Sequence, residues 1–459
     1  MLVHGSDLQL QLSVAFDYSE CSTAESDATA LFSVKSPSMP TTGARAPLRL
    51  VAVVDRSGSM AGEKLELVKK TLTFATSQLR EQDELSIVTF DDKIDVLVPM
   101  KLMTNTNRED SLASIKNIRD GGSTNLSGGL LQGIEQLKTG TVANATSAVL
   151  LFTDGQANAG IKSADGICSA LKAVMDSTSN AKIFTFGFGQ DHDSNLLQQI
   201  AASGGCGNYV FLQTPDDIPM ALVACLGGLL SVVLQNVRVT ITPLNGCVVP
   251  EVITKFPVTQ DAAGGQVVTI GDMYAESTKD VLFKVRLPKI ELGSEVYEVF
   301  RCQAVAFNAQ TLSMDDVAVV GATRRTQVDV QRQVLNAQIS PHICRQIAVS
   351  ALERAKTQAA SSKLDEGRTE LESAMAQIKI IQESQGSDCA ADELLMDLAD
   401  TQQNMVTRDR FERVGNRMAS EAISSNAYQC GRMKVSSKRA AFASPAMFQM
   451  AAKYYEEND

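Results

Sequence analysis

No window of this 459-residue chain approaches twenty consecutive apolar residues, so no membrane-crossing helix is expected. The first residues, MLVHGSDLQLQ, carry neither the basic region nor the long apolar stretch of a secretory leader, and none is expected. The nine cysteines are scattered, odd in number and never spaced C-x-x-C, unlike a zinc module or a disulfide framework. A reducing compartment, cytoplasmic or nuclear, is the expected address. Histidine is scarce, with only His4, His192 and His342, and the G-x-S-x-G elbow of a serine hydrolase is absent. Positive charge is in the minority, 42 Lys and Arg against 53 Asp and Glu, for a net −11. That balance points away from nucleic acid and from an anionic membrane as the main partner, because both reward a basic surface.

What remains is ordinary globular sequence, long enough for two to four domains. Residues 1–46 open with DLQLQLSVAF, where Leu8, Leu10, Leu12, Val14 and Phe16 alternate with polar residues as in a half-buried strand. A linker rich in Pro and Gly follows. Residues 47–226 change character: LRLVAVVD, ELSIVTF, AVLLFTDG and AKIFTFGFG are unbroken apolar runs, the mark of parallel strands buried on both faces. Helical segments separate them, among them EKLELVKKTLTFATSQL, with Leu65, Val68, Leu72, Ala75 and Leu79 on one stripe and lysines opposite. This is the pattern of a doubly wound α/β domain. Alternation returns over 229–326, in NVRVTI and DVLFKVRL, and predicts an antiparallel β-sandwich. Because strands of that kind flank the α/β segment on both sides, the N-terminal strands are expected to join the later ones, with the α/β domain inserted. Residues 327–426 carry helical stripes separated by short polar breaks, read as helical hairpins, and 427–459 form a C-terminal tail. Within the tail, KVSSKR reads as a solvated turn or a weak nuclear patch.

In an open α/β sheet, ligands bind outside the carboxyl ends of the strands. There the first strand runs into DRSGSM, bringing Asp55, Ser57 and Ser59; GGSTNL places Thr124 before a helix; LLFTDG ends on Asp154. Three hydroxyls and two carboxylates make an all-oxygen set suited to a hard divalent cation such as Mg²⁺. With only two carboxylates against a double charge, such an ion retains appetite for one further anion. Taken singly each motif has a plainer reading: Ser59 as a cap for the next helix, Asp154-Gly155 as a turn, GGSTNL as a glycine loop.

D-x-S-x-S, G-G-x-T-N and T-D-G in this order resemble the metal-ion-dependent adhesion site of von Willebrand factor A domains. The match falls on Asp55, Ser57, Ser59, Thr124 and Asp154, with none missing. The resemblance implies a six-stranded sheet wrapped by helices with Mg²⁺ or Mn²⁺ at its top. Beyond that domain, GEKLELVKKTLTFATSQL, VVTIGDMYAESTKDVLFKV and SPAMFQMAAKYYEE resemble plant cytosolic proteins that join such a domain to a β-rich segment and helices. Some of those are ubiquitin ligases with a zinc RING ahead of the A domain. No cysteine pair precedes Asp55 here, so ligase activity is not part of the expectation. Arg56 adds positive charge beside the site, either to select an acidic ligand or to face solvent.

The expected function is therefore a metal-dependent binding module, an adaptor or scaffold that meets an acidic residue of a protein partner. A ubiquitin-ligase assembly is suggested by analogy alone, and no enzymatic activity is expected. Two alternatives are a serine hydrolase using Ser59 with His192 as base, and a scaffold that needs no metal.

Overall fold

The computed structural model describes residues 8–39, 45–154, 157–175, 181–204, 207–291, 293–327, 334–385, 389–431 and 442–458. Gly155 and the KVSSKR stretch lie outside the described residues. In chain order, three strands come first: β1 (Gln11–Phe16), β2 (Glu20–Ser22) and β3 (Ser26–Lys35). An alternating α/β run follows: β4 (Leu48–Asp55), α1 (Glu63–Gln78), β5 (Glu84–Phe90), β6 (Ile94–Leu102), α2 (Asn105–Lys116), α3 (Leu126–Lys138) and β7 (Thr146–Thr153). It continues through α4 (Ala164–Met175), β8 (Lys182–Phe188), α5 (Ser194–Ser203), β9 (Tyr209–Leu212) and α6 (Asp217–Leu229). Seven more strands are β10 (Val232–Pro243), β11 (Val248–Ile253), β12 (Val258–Gln260), β13 (Gln266–Tyr274), β14 (Thr278–Leu287), β15 (Ser294–Asn308) and β16 (Ser313–Thr326). The last helices are α7 (Ser340–Ala360), α8 (Leu364–Gln385), α9 (Cys389–Gln403), α10 (Arg408–Arg410), α11 (Asn416–Tyr428) and α12 (Pro445–Asn458).

The chain divides into two units, one of residues 45–232 and 403–459, the other of residues 1–44 and 233–402. The first holds a six-stranded sheet of order β6-β5-β4-β7-β8-β9, parallel except for β6. Every residue of β5 and β8 is buried, and only Arg49 and Ser147 escape full burial in β4 and β7. Helices on both faces account for this, so apolar side chains pointing either way are covered. One face packs Leu50, Ala52 and Val54 with Leu65, Val68 and Leu72 of α1. The other packs Val51 and Val53 with Leu126, Leu130 and Ile134 of α3. On the first face Phe152 and Phe186 stack at 4.9 Å between ring centroids.

The helix stripe anticipated for α1 is the buried one. Its N-cap is Gly62, at φ +82°, and no side chain caps it, so Ser59 is not a helix cap. Glu63 and Glu66 in the first turn instead face the positive end of the helix dipole.

The second unit is built of two mainly antiparallel sheets, of order β1-β3-β14-β11 and β12-β13-β10-β15-β16-β2, with β16 and β2 parallel. Phe283 of one sheet meets Phe300 of the other edge-on at 4.8 Å, which makes the pair a sandwich. The N-terminal strands do join the later ones: β3 pairs with β14 along its whole length, from Ser26 opposite Leu287 to Lys35 opposite Thr278. The α/β unit is therefore inserted between strands of the sandwich. The first strand starts later than its alternation suggested, at Gln11. Leu8 is exposed, and the Leu10 N–H donates to Asp315 Oδ2 at 2.9 Å instead of entering a ladder. Ile339, ahead of α7, packs with Leu31 and Leu282 on the outer face of the four-stranded sheet.

The helical ranges need correction. Residues 327–426 are not one region, because the division falls between Gln402 and Gln403 and assigns α10 and α11 to the α/β unit. Nor is 427–459 wholly a tail: α12 packs its Ala451 and Tyr454 against Phe74 and Val223, with the Tyr454 ring edge-on to Phe74 at 5.0 Å. Amphipathic spacing shows that a helix has a face to bury, but is silent about which body receives it.

Candidate metal centre

Three loops meet at the carboxyl ends of the parallel strands. Val54 of β4 lies opposite Phe152 of β7, so Asp55, the last residue of β4, and Asp154, the first residue beyond β7, share one rim. Backbone bonds bring the third loop to the first. The Gly121 N–H donates to the Arg56 carbonyl at 2.7 Å, and the Gly58 N–H to the Gly122 carbonyl at 3.2 Å. Thr124 follows two residues later and is tied to the Asp154 loop. Its N–H donates to Asn158 Oδ1 at 2.8 Å, and its carbonyl accepts from the N–H groups of Asn158 and Ala159. A Cβ on Gly121 would stand 1.9 Å from Asp91 Oδ2, so a side chain there would have to displace the Asp91 carboxylate.

Asp55, Ser57, Thr124 and Asp154 are all buried, and Ser59 is exposed, so the cluster opens to solvent at Ser59. Asp55 Oδ1 accepts the Ser57 N–H at 2.8 Å and Oδ2 accepts the Thr153 hydroxyl at 2.6 Å. Burial pushes the Asp55 carboxyl above the usual carboxylate range, and the bonds from Ser57 and Thr153 oppose that rise. The Ser59 hydroxyl donates to Asp154 Oδ1 at 2.6 Å and lies 3.2 Å from the Ser57 hydroxyl. Adjacent ligand oxygens around an octahedral Mg²⁺ are about 2.9 Å apart, given bonds of about 2.05 Å. The two observed spacings bracket that value, so the oxygens of Ser57, Ser59 and Asp154 are spaced as neighbouring ligands of a small hard cation would be. Among the described residues no group of three or more His, Cys, Asp or Glu side chains is placed to hold a metal. Any such shell here would draw on hydroxyls and water besides the two carboxylates. The positive charge present at the cluster is the Lys64 ammonium, ion-paired with Asp154 Oδ2 and 3.2 Å from the Ser59 carbonyl.

Arg56 neither faces open solvent nor stands free for a ligand, since its guanidinium pairs with Asp91 at 3.2 Å and Asp95 at 2.5 Å. The hydrolase pair is not formed either. His192 is fully buried, its Nε2 2.7 Å from the Tyr209 hydroxyl and its Nδ1 3.3 Å from the Phe188 carbonyl. Burial, aided by the nearby Arg417 charge, pulls its pKa down to about 3. Ser59 is engaged by Asp154 and Ser57, not by a histidine.

Sequence reasoning missed four residues that build this site. Thr153, the last residue of β7, stands in T-D-G without a role assigned to it, and Asn158 beyond Asp154 belongs to no spacing rule. Asp91 follows β5 and braces the glycine loop, its Oδ1 also taking the Lys93 N–H at 2.7 Å. The helix stripe puts Lys64 on the polar face of α1 and assigns it no role at the site. Its position five residues after Ser59, in the first helical turn, was the available signal.

Comparison with known proteins accords with this architecture. The chain is 30% identical over 249 residues to the E3 ubiquitin-protein ligase WAV3 of Arabidopsis thaliana, covering 53% of this chain and 31% of that protein. The chain spans about a third of the length of the curated relatives it matches. In fold it is similar to a von Willebrand factor type A protein from Catenulispora acidiphila, with a TM-score of 0.69, 14% identity and coverage of 87% of this chain and 92% of that one. The ArnB paralog VWA2 from Sulfolobus acidocaldarius is also similar, with a TM-score of 0.60, 13% identity and coverage of 91% and 98%. Residues 50–221 match the family model of the von Willebrand factor type A domain, and this part of the chain is such a domain.

Proposed function

We propose that this chain is a metal-dependent protein-interaction module in which Asp55, Ser57, Ser59, Thr124 and Asp154 hold Mg²⁺ or Mn²⁺. The bound ion would supply one open position to an acidic side chain of a partner protein. The observation that carries this reading is the meeting of three sequence-distant loops, two of which bring oxygen donors to 2.6 and 3.2 Å of one another, open at Ser59. Asp55 and Ser57 form the buried floor. Asp154 is buried beside them, and Ser59 forms the solvent side, where a partner carboxylate would arrive. The Gly121 and Asn158 bonds tie the backbone of the Thr124 loop to the other two loops, which supports counting Thr124 among the ligands.

The sandwich and its helices then act as the scaffold of an adaptor. Likeness to a relative named as an E3 ubiquitin-protein ligase suggests a ubiquitin-ligase assembly, with these residues supplying binding and not transfer chemistry. Among the described residues seven cysteines are free thiols, which suits a cytoplasmic setting, and no helix there is long and apolar enough to cross a membrane.

The test is an affinity capture of partners by the full chain, repeated with EDTA and with Asp55→Ala. A partner retained with Mg²⁺ and lost in both other arms supports the proposal. Retention unchanged by chelator and by the substitution would overturn it in favour of a metal-independent scaffold.

A further inference from the structure

Asp154 differs from Asp55 in what occupies it. Both oxygens of Asp55 take neutral donors, the Ser57 N–H and the Thr153 hydroxyl. Asp154 takes a neutral hydroxyl on Oδ1 but a full positive charge on Oδ2, from Lys64. The Asp154 side chain is 1% exposed and that of Lys64 33%, so the carboxylate is fixed while the ammonium reaches it from the solvent side. Lys64 is the second residue of α1, where the helix dipole disfavours a cation. Asp154 and the Ser59 carbonyl are the groups that offset this, and both belong to the cluster of donors. A lysine stem is flexible and its ammonium well hydrated, so it can swing into water at small cost.

We propose that Lys64 is a tethered counter-cation of this site: it neutralises Asp154 at rest, must release Oδ2 before that oxygen can serve a divalent ion, and thereby sets a low resting affinity for metal. The inference rests on the reading of the cluster as a metal centre and adds the residue that competes for it. Lys64 repels a second cation while it stays, and forfeits its ion pair when it leaves. Either way uptake of metal is weakened. A chain with this device fills its site when metal and an acidic partner arrive together, because the partner's carboxylate adds the negative charge that Asp154 alone does not supply.

The experiment is isothermal titration of the full chain with Mn²⁺, comparing the wild type with K64M, K64R and D154A. K64M should bind Mn²⁺ about tenfold more tightly, an ordinary magnitude for one like charge removed from a partly buried site. K64R, which keeps the charge, should bind no more tightly than the wild type. K64Q, whose amide keeps a hydrogen bond to Asp154 without the charge, asks the same question should K64M fold poorly. Binding by the wild type and loss in D154A, with K64M and K64Q unchanged or weaker, would overturn this inference and leave the metal centre standing. No Mn²⁺ binding by the wild type or by either neutral variant would overturn both.

Discussion

The two sheet systems of this molecule bury their strands in opposite ways. In the parallel sheet β5 and β8 are buried at every residue. In the sandwich β16 alternates, with Val319, Gly321 and Thr323 buried and Val320, Ala322 and Arg324 exposed. The difference is one of what lies on each face. A sheet covered by helices on both sides has no solvent face to spend on polar chemistry, so its functional side chains collect where the strands end. The alternating strands of the sandwich have no such concentration, and their polar residues are spread over a solvated face. Every residue of the candidate metal centre lies in or beside a loop of the parallel sheet.

The largest expected effect tests that contrast directly. Phe186 is fully buried and stacked on Phe152, so Phe186→Ala should destabilise the α/β unit by about 4 kcal/mol, the usual cost of emptying a large aromatic site. Val320, 43% exposed on the sandwich, should cost less than about 0.5 kcal/mol as Val320→Ala. Urea unfolding followed by circular dichroism checks both, and equal losses would break the comparison.

Next in size is the loss of function at the rim. Asp55→Ala should weaken Mn²⁺ binding about a hundredfold or more, because it removes one of two carboxylates and leaves the Ser57 N–H and Thr153 hydroxyl without their acceptor. A matched change in the sandwich, Asp316→Ala, removes only an exposed contact to Gln303 and should leave Mn²⁺ affinity unchanged. Titration calorimetry distinguishes them.

The same contrast explains what was legible in the sequence. The runs LRLVAVVD and ELSIVTF announced a doubly covered sheet because every position is apolar or small, and NVRVTI announced a half-covered one because every second position is not. The three loops were legible because D-x-S-x-S, G-G-x-T-N and T-D-G each follow a strand or precede a helix. The allegiance of α11 and α12 was not legible, since Ala422 or Tyr454 on a helix stripe says only that some neighbour exists. Nor was the role of Lys64, because an amphipathic pattern assigns every lysine to water, and only coordinates show that one of them turns back to Asp154. His192, read as a base for Ser59, carried no signal of burial in HDSNLL. Its surroundings are supplied by Tyr209 and by Arg417, whose guanidinium donates to the His192 carbonyl at 2.6 Å from more than two hundred residues away in sequence.

That buried histidine gives the third prediction. Its folded pKa of about 3 lies below the unfolded value of 6.5. Between these values the unfolded chain binds a proton that the folded chain refuses, so stability falls as pH drops through the window. From pH 7 to pH 5 the α/β unit should lose about 2 kcal/mol on this account, at about 1.4 kcal/mol per unit below 6.5. Urea unfolding of the wild type and of His192→Gln at the two pH values reads the difference. Equal pH sensitivity in both would show that the imidazole is not held neutral by the fold. His342 of the sandwich unit is partly exposed and 3.8 Å from Asp280, so His342→Gln should not reproduce the effect in the α/β unit.

The smallest effect concerns how each sheet ends. An open edge presents unpaired N–H groups, and proteins shorten or cover it. The six-stranded sheet of the sandwich shortens it: its outer strands, β12 and β2, have three residues each. The parallel sheet covers it with α11: the Tyr209 N–H donates to Ser424 Oγ at 3.2 Å and the Phe211 N–H to Glu421 Oε1 at 3.3 Å. Ser424 is buried and also donates to Asn208 Oδ1 at 2.8 Å, so it serves as a side-chain stand-in for a seventh strand. Ser424→Ala strands a buried N–H and should cost about 1 kcal/mol, with faster amide hydrogen exchange at Tyr209. Thr259→Ala, on the exposed β12 edge, removes no such acceptor and should change neither stability nor exchange at its neighbours. If Ser424→Ala were equally silent, α11 would be covering β9 by apolar contact alone, and the two sheets would differ only in the length of their outermost strands.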